Sequence, residues 1–267
     1  MSEGDAVASA LIQQEDGAEP GDRVRVLRLA RPPVNALNPE LMSALREAIA
    51  AAVQDDRSAI VLTGAPGLFS AGLDVPELLG LGGAPLRAAW QLFFALLEDL
   101  ARCPIPVGAA LSGHSPAGGT VLALFADHRV LADGAQFRIG LNEVQVGLPV
   151  PAVLLRALTF LCGERHAARL AIGGWLVDPA EALRVGLVDE LAPVEEVLPR
   201  TLAWAKTLGT RPVHALRATR ALARKPLHDA FAQVGDGLID EVMAQWSSAE
   251  TQAVLRALAA RLGKPRG

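Results

Sequence analysis

Cysteine is scarce in this chain of 267 residues. Cys103 and Cys162 are far apart, and neither belongs to a Cys-x-x-Cys pair or a Cys/His cluster. Disulfide frameworks and structural zinc sites both need such groupings. The sequence therefore predicts no disulfide and no metal site, and it favours a reduced, cytoplasmic protein.

Long apolar runs and basic clusters are also missing. The most apolar stretches are short or carry a charge, and none approaches the roughly 18 uninterrupted apolar residues of a membrane span. Lys and Arg number 25 against 29 Asp and Glu, a formal net charge of −4, and no basic block is present that could follow a phosphate backbone. We expect neither a membrane nor a nucleic acid among the partners.

The N-terminal segment lacks basic residues as well. Residues 1–20 contain five acidic side chains and no Lys or Arg, the opposite of a secretory or transit peptide. We interpret residues 1–20 as a mobile tail, 21–200 as the core domain, and 201–267 as a helical region. That helical region has apolar faces, which we expect to pack on the core and on a neighbouring subunit.

The chain does contain alternating strand and helix patterns. Residues 23–30 alternate at period two, and residues 59–64 form a short β-branched run that ends in glycine; both patterns are typical of strands. Asn38 followed by Pro39 predicts a helix start. Helical patterns dominate from about residue 149, with Asp178 as a further N-cap. This alternation indicates an α/β class with a largely buried sheet.

The stretch SGHSPAGG at residues 112–119 is similar to the turn that presents a nucleophilic serine in hydrolases. That turn needs glycine where this chain has Ala117, and it takes an oxyanion donor from the residue after the serine, which here is Pro116 and has no N–H. Asp178 and His214 could complete a triad in the required order, but most chains of this length offer such a pair. We therefore predict that Ser115 is not a nucleophile and that His114 is a turn or pocket-wall residue.

A second turn of the same kind occurs at residues 68–75, LFSAGLDV. Each turn follows a buried strand and contains small residues that let a ligand approach the backbone. Two such turns could supply two N–H donors to one oxygen, which is an oxyanion hole. The alternative is that the glycines only allow each helix to start close to its strand.

Five motifs together resemble the crotonase superfamily of enoyl-CoA hydratases and isomerases, in order and in spacing. They are NALN (35–38), FSAGLDV (69–75), PAGG (116–119), ADHRVLAD (126–133) and GLNEVQVGL (140–148). The resemblance covers the chain from about residue 22, and is strongest to mitochondrial-type Δ3,Δ2-enoyl-CoA isomerases. It implies a ClpP/crotonase-like spiral of ββα units followed by C-terminal helices, and a homotrimer or a dimer of trimers.

The resemblance also implies site residues. The backbone N–H groups of Ala71 and Gly118 would be the oxyanion donors, and Glu143 the catalytic acid and base. Arg31 would contact the phosphates of the nucleotide end or remain a solvated arginine. The substrate and CoA contacts would be Gly72, Leu73, Asp74, Val75 and Asn142.

The reaction type depends on the number of carboxylates. Hydratases use two glutamates to hold and deprotonate water; in this chain the first position is Val121 and the second is Glu143. One base suffices for an isomerase, so the resemblance implies an acyl-CoA enzyme of fatty-acid metabolism that converts 3-enoyl-CoA into trans-2-enoyl-CoA, with no cofactor beyond the CoA of the substrate. There are two alternatives. One is a hydratase in which Glu77 or Glu98 replaces the missing first carboxylate, and the other is a non-catalytic acyl-CoA-binding homologue.

The surroundings of Glu143 can also be predicted. Trp90, Phe93 and Leu97 recur at helical spacing and would form apolar walls that desolvate the carboxylate and raise its basicity. The alternatives are that these three side chains belong to the ordinary core, and that Glu143 is a surface glutamate.

Overall fold

The computed structural model describes residues 11–17, 23–235 and 237–262. Within these ranges the strands are β1 Ile12–Asp16, β2 Val24–Leu29, β3 Ala59–Thr63, β4 Gly67–Leu68, β5 Val107–Leu111, β6 Gly113–Pro116, β7 His128–Ala132, β8 Ile139–Gly140 and β9 Glu190–Ala192. The helices are α1 Pro39–Gln54, α2 Val75–Gly80, α3 Gly83–Arg102, α4 Gly118–Leu124, α5 Ala152–Gly173, α6 Pro179–Arg184, α7 Val194–Gly209, α8 Val213–Ala223, α9 Lys225–Val234, α10 Gly237–Trp246 and α11 Ala249–Leu262. A short 3-10 segment spans Glu143–Val146. None of the helices in the described ranges is long and apolar enough to cross a membrane.

The strands form two sheets. The larger sheet has the order β1-β2-β3-β5-β7-β9, with β1 antiparallel to β2 and the remaining pairs parallel. The smaller sheet has the order β4-β6-β8 and is parallel throughout. Strands β3 and β5 are buried along their whole length, as expected for parallel strands covered on both faces.

The two sheets arise from a repeated ββα unit. In each unit the first strand joins the larger sheet, the second joins the smaller sheet, and a helix follows; β3, β4 and α2 form one unit, and β5, β6 and α4 form the next. The turns after β4 and β6 therefore lie side by side. This arrangement confirms the predicted α/β spiral with a C-terminal helical region.

Two helix starts also follow the prediction. The Asn38 side chain accepts a hydrogen bond from the Leu41 N–H at 3.0 Å, and Asp178 accepts one from the Glu181 N–H at 2.9 Å. Each cap satisfies an amide that the first helical turn leaves without a partner.

The predicted segment boundaries need correction in two places. Residues 12–16 do not belong to a tail, because they form β1 and pair with β2. Residues 1–10 and 18–20 of the predicted tail lie outside the described residues. The boundary predicted at residue 200 falls inside α7, whose Thr201 and Ala205 side chains are buried against the large sheet. The first part of the predicted C-terminal region thus belongs to the core.

The C-terminal helices are fixed to the core by buried charges. The Arg224 guanidinium, 4% exposed, donates to the carbonyls of Ala101 and Phe125 and to Asp127. Arg220 forms a second ion pair with Asp127, at 2.8 Å. These bonds supply donors to carbonyls at the ends of α3 and α4, which are otherwise without partners inside their helices.

Candidate active site

The turns after β4 and β6 meet at their glycines. Gly72 has φ +91°, in the region that favours glycine, and its Cα would lie 3.0 Å from a Cβ placed on Gly118. The same Cβ would lie 3.1 Å from the Leu73 nitrogen. The two backbones are therefore in contact, and a side chain at position 118 would separate them.

Ala71, predicted as an oxyanion donor, cannot fill that role in this structure. Its N–H donates to the Val34 carbonyl at 3.0 Å, so it is already engaged within the protein. The prediction was wrong because it did not include the chain before α1, which pairs with this loop and takes up its hydrogen bonds.

Leu73 supplies the free N–H instead. Leu37 pairs with the residues on either side of it: the Leu37 N–H donates to the Gly72 carbonyl at 2.8 Å, and the Asp74 N–H donates to the Leu37 carbonyl at 3.0 Å. Successive groups of an extended chain point to opposite sides. The Leu73 N–H therefore points away from Leu37, towards the Gly118 turn, and it has no acceptor among the described residues.

Gly118 begins α4, and its N–H is one of those that a helix leaves without an internal partner. The positive end of the helix dipole also lies here. Together, the Leu73 and Gly118 amides form a pair of backbone donors that can bind one oxygen.

Asp74 holds the loop rather than facing a ligand with a free charge. Its carboxylate accepts from the Glu77 N–H at the start of α2 and forms an ion pair of 2.8 Å with Arg31. Arg31 also pairs with Glu77 at 3.1 Å. These two carboxylates offset the positive charge of Arg31, which makes it a poor phosphate contact.

Glu143 lies at the start of the 3-10 segment and lines a cavity. The residue is partly exposed, but its Oε2 is buried and has no hydrogen-bond partner among the described residues. Burial raises the pKa of this carboxyl to about 7, although a backbone hydrogen bond to the carboxylate acts in the opposite direction. The neighbouring Asn142 also has a buried Oδ1 without a partner in the described part of the chain.

The cavity measures about 870 Å³ and joins the two amides to Glu143. Of the predicted site residues, Ala71, Leu73, Asp74, Val75, Gly118, Asn142 and Glu143 line it, and Gly72 lies behind the wall, against the Gly118 turn. Val121 lines the cavity as an apolar side chain. The structure thus brings together the residues that the sequence predicted, with Leu73 replacing Ala71 as the donor.

The predicted apolar walls are present in part. Trp90 and Phe93 line the cavity, whereas Leu97 is fully buried and does not line it. The prediction missed a third wall from the C-terminal helices α10 and α11. Their lining side chains are Leu238, Val242, Trp246, Leu255, Leu258 and Leu262. The amphipathic stretch LIDEVMAQW, residues 238–246, indicates a helix with one apolar face. The pattern does not indicate which part of the protein that face covers.

Ser115 has no access to this cavity. Its side chain is fully buried in β6, and the hydroxyl donates to the Gly113 carbonyl at 3.0 Å. His114 packs edge-on against Phe137, with ring centroids 5.4 Å apart. Neither geometry activates a nucleophile, which agrees with the prediction made from Pro116.

Neither glutamate considered as a second catalytic carboxylate lines the cavity. Glu77 is bonded to Arg31 and to the Asn38 amide, and Glu98 pairs with Arg102 on the exposed side of α3. The other acidic residues of the cavity wall are Asp74, which is paired, and Glu241, which is exposed.

Comparison with known proteins gives matches to enoyl-CoA hydratases and isomerases, the group that the sequence motifs resemble. The family model described as enoyl-CoA hydratase/isomerase matches residues 19–258. The human protein named enoyl-CoA delta isomerase 1, mitochondrial, is 33% identical over 96% of this chain and 84% of its own length. A probable enoyl-CoA hydratase of Mycobacterium avium is 37% identical over 73% of this chain and 76% of its own. The crystal structure of human mitochondrial delta3-delta2-enoyl-CoA isomerase superimposes with a TM-score of 0.91 at 33% identity, and the match covers 96% of this chain and all of that one.

Proposed function

The chain belongs to the enoyl-CoA hydratase/isomerase family, and on that premise we propose that it isomerises 3-enoyl-CoA to trans-2-enoyl-CoA in fatty-acid metabolism. One observation carries the proposal: Glu143, a carboxylate with a buried oxygen that has no partner among the described residues, shares a mostly apolar cavity with two backbone donors. The human protein and the human crystal structure compared above are both named as enoyl-CoA isomerases, in agreement with this activity.

The proposed reaction begins with binding of the thioester carbonyl. Its oxygen accepts hydrogen bonds from the Leu73 and Gly118 N–H groups. Glu143 removes a proton from C2, and the electron pair moves through the carbonyl to give a dienolate with its charge on that oxygen. The same proton then returns to C4, and the double bond that lay between C3 and C4 lies between C2 and C3. Each backbone donor contributes about 3 kcal/mol to such a step.

The protonation behaviour of Glu143 suits this role. A base that takes a proton and gives it back works best when its pKa lies near the working pH, and burial brings the pKa of Glu143 to about 7. An ordinary glutamate, with a pKa of about 4.3, would be a much weaker base.

Hydration is the second candidate, because one relative is named a probable hydratase. A hydratase has to hold and deprotonate a water molecule, and the position of the second carboxylate is taken by Val121 in the cavity wall. Because Glu143 is the one carboxylate with a buried oxygen in the described cavity wall that lacks a partner, the site favours isomerisation. A non-catalytic acyl-CoA-binding protein would not need a buried carboxylate, whose ionisation is costly.

Several broader features remain part of the proposal. The substrate is an acyl-CoA thioester, and the mechanism uses no cofactor beyond that CoA. We propose a homotrimer, or a dimer of trimers, that acts in the cytoplasm. We also propose that the chain divides into a core and a C-terminal helical region that contacts the neighbouring subunit.

The test follows the absorbance of the conjugated thioester with 3-enoyl-CoA and, in parallel, with 2-enoyl-CoA. A rise with the first substrate and little loss with the second is expected. Glu143→Gln should lower kcat by about 10²- to 10⁴-fold and still bind a saturated acyl-CoA. Loss of the 2-enoyl signal would indicate hydration instead, and full activity of Glu143→Gln would remove the base assignment.

A further inference from the structure

Helix α11 contacts the turn that carries Glu143. The Thr251 hydroxyl donates to the Gly147 carbonyl at 2.5 Å, and Gly147 ends the 3-10 segment. The Leu148 N–H in turn donates to the Glu143 carbonyl at 3.0 Å, which closes the turn. Gly147 has φ +78°, and a Cβ on it would lie 3.2 Å from the Thr251 Cα. The helix backbone is thus packed directly on the turn.

Thr251 is itself held in place. It is 2% exposed, the Ser248 hydroxyl donates to its Oγ1 at 2.9 Å, and its own N–H donates to the Ser248 oxygen at 3.2 Å. The two hydroxyls therefore form a directed chain that ends on the Gly147 carbonyl. One turn later along the same helix, Leu255 is fully buried in the cavity wall.

The same helix also packs against the oxyanion side of the site. Helix α11 contacts α2, which begins two residues after the Leu73 donor, as well as the 3-10 segment. A single element thus touches the segment that carries the base and the segment that follows the donor. Its docking therefore couples the two segments.

We propose that Thr251 is a positioning residue for Glu143, holding the catalytic turn against α11 through the Gly147 carbonyl. The inference rests on the proposed function, since it gives Glu143 the role of base. Without the hydroxyl, the Gly147 carbonyl loses its donor and the turn is held by packing alone. A displacement of about 1 Å at a reacting group can cost about 10² in rate.

The test compares Thr251→Val, which removes only the hydroxyl, with Thr251→Ser, which keeps it. Thr251→Val should lower kcat about 10-fold or more with KM within about twofold, while Thr251→Ser stays close to the wild type. Thr207→Val is the matched control, because the Thr207 hydroxyl makes a similar bond of 2.9 Å to a helix carbonyl on the exposed side of α7. If Thr251→Val does not fold, Thr251→Ala removes the same hydroxyl with less bulk.

A second readout does not depend on turnover. The carboxyl carbon of Glu143 is titrated by ¹³C NMR and assigned by its absence in Glu143→Gln. The wild-type midpoint is expected near pH 7, and in Thr251→Val it should fall towards the ordinary glutamate value as water reaches the loosened turn. Of the charged side chains that share the cavity, Arg31 and Asp74 pair with each other and Glu241 is exposed, so we expect a change in the Glu143 midpoint to report a change in its burial.

The outcomes separate the two proposals. If the wild type does not isomerise 3-enoyl-CoA but the titration midpoint still moves in Thr251→Val, the proposed function fails and the positioning role stands. If folded Thr251→Val keeps both the wild-type kcat and the wild-type midpoint, the positioning role is overturned. The same holds if Thr207→Val shows an equal loss.

Discussion

At the scale of single residues, Glu143 combines a catalytic use with a cost in stability. In the unfolded chain the pKa of this carboxyl is about 4.3, whereas burial in the folded protein raises the pKa to about 7. Between these values the folded protein binds more protons than the unfolded chain. The free energy of unfolding therefore decreases as pH rises through this window and stays reduced above it.

Glu143→Gln should accordingly stabilise the protein at alkaline pH. The expected gain in the free energy of unfolding is about 3.5 kcal/mol at pH 8, because the substitution removes the buried charge, and it should fall to about 1 kcal/mol at pH 5, where the unfolded carboxyl is still largely ionised. Urea unfolding at both pH values measures it. Glu164→Gln, at an exposed position of α5, is the control and should change little at either pH. Equal stability of Glu143→Gln and the wild type at pH 8 would contradict a raised pKa.

Gly118 offers a test of the paired donors. Its added Cβ would meet the Gly72 Cα, the Leu37 Cδ1 and the Leu73 nitrogen at 3.0 to 3.1 Å, so Gly118→Ala must push the two turns apart. We expect kcat to fall about 10²-fold, comparable to the loss of one oxyanion donor. Gly80→Ala, at the end of α2, is the control, since a Cβ there meets no atom within 4 Å. Wild-type kcat in Gly118→Ala would argue against the donor pair.

At the scale of elements, the sequence predicted what local patterns encode. Asn38 and Pro39 specify a helix start, and the β-branched run of β3 specifies a buried strand, because each depends only on neighbouring residues. The donor at Leu73 could not be predicted in the same way, since it depends on which N–H groups Val34 and Leu37 take up from a distant segment. Strand β1 was missed because IQQED has one buried residue and four exposed ones, which lack the alternation of a half-buried strand.

The connection between the C-terminal helices and the core also belongs to this scale. Arg224 is buried and bonds to Asp127 and to two helix-end carbonyls, so Arg224→Met leaves several polar groups unpaired. We expect the free energy of unfolding to fall by about 3 kcal/mol. The neighbouring Lys225→Met breaks only an exposed pair with Asp229 and should cost at most about 1 kcal/mol. Equal effects in urea unfolding would show that burial does not distinguish the two pairs.

At the scale of the whole molecule, the cavity is lined by segments that are far apart in the sequence, from Arg31 to Leu262. The two donors come from the ββα units, the base from the segment after β8, and the remaining wall from α3, α10 and α11. The motifs therefore predicted most of the residues that meet in the cavity, but not the helices that enclose it, because helix docking depends on side-chain packing between distant segments. Contacts between subunits likewise depend on packing between separate segments, so they concern the helix faces that the single chain leaves uncovered.

Helix α8 is such an element, and it tests the proposed oligomer. Arg220 ties this helix to Asp127, but none of its apolar side chains is buried in the single chain, and Leu222 is 75% exposed. A helix of 11 residues is marginal without packing, so we expect a neighbouring subunit to cover it. Sedimentation should give three or six times the 27.9 kDa of one chain, and Leu222→Glu should reduce that mass, because a buried unpaired charge is costly. Leu183→Glu, on the exposed side of α6, is the control for a new surface charge. A wild-type mass of one chain would refute the trimer, and an unchanged mass in Leu222→Glu would place the interface away from α8.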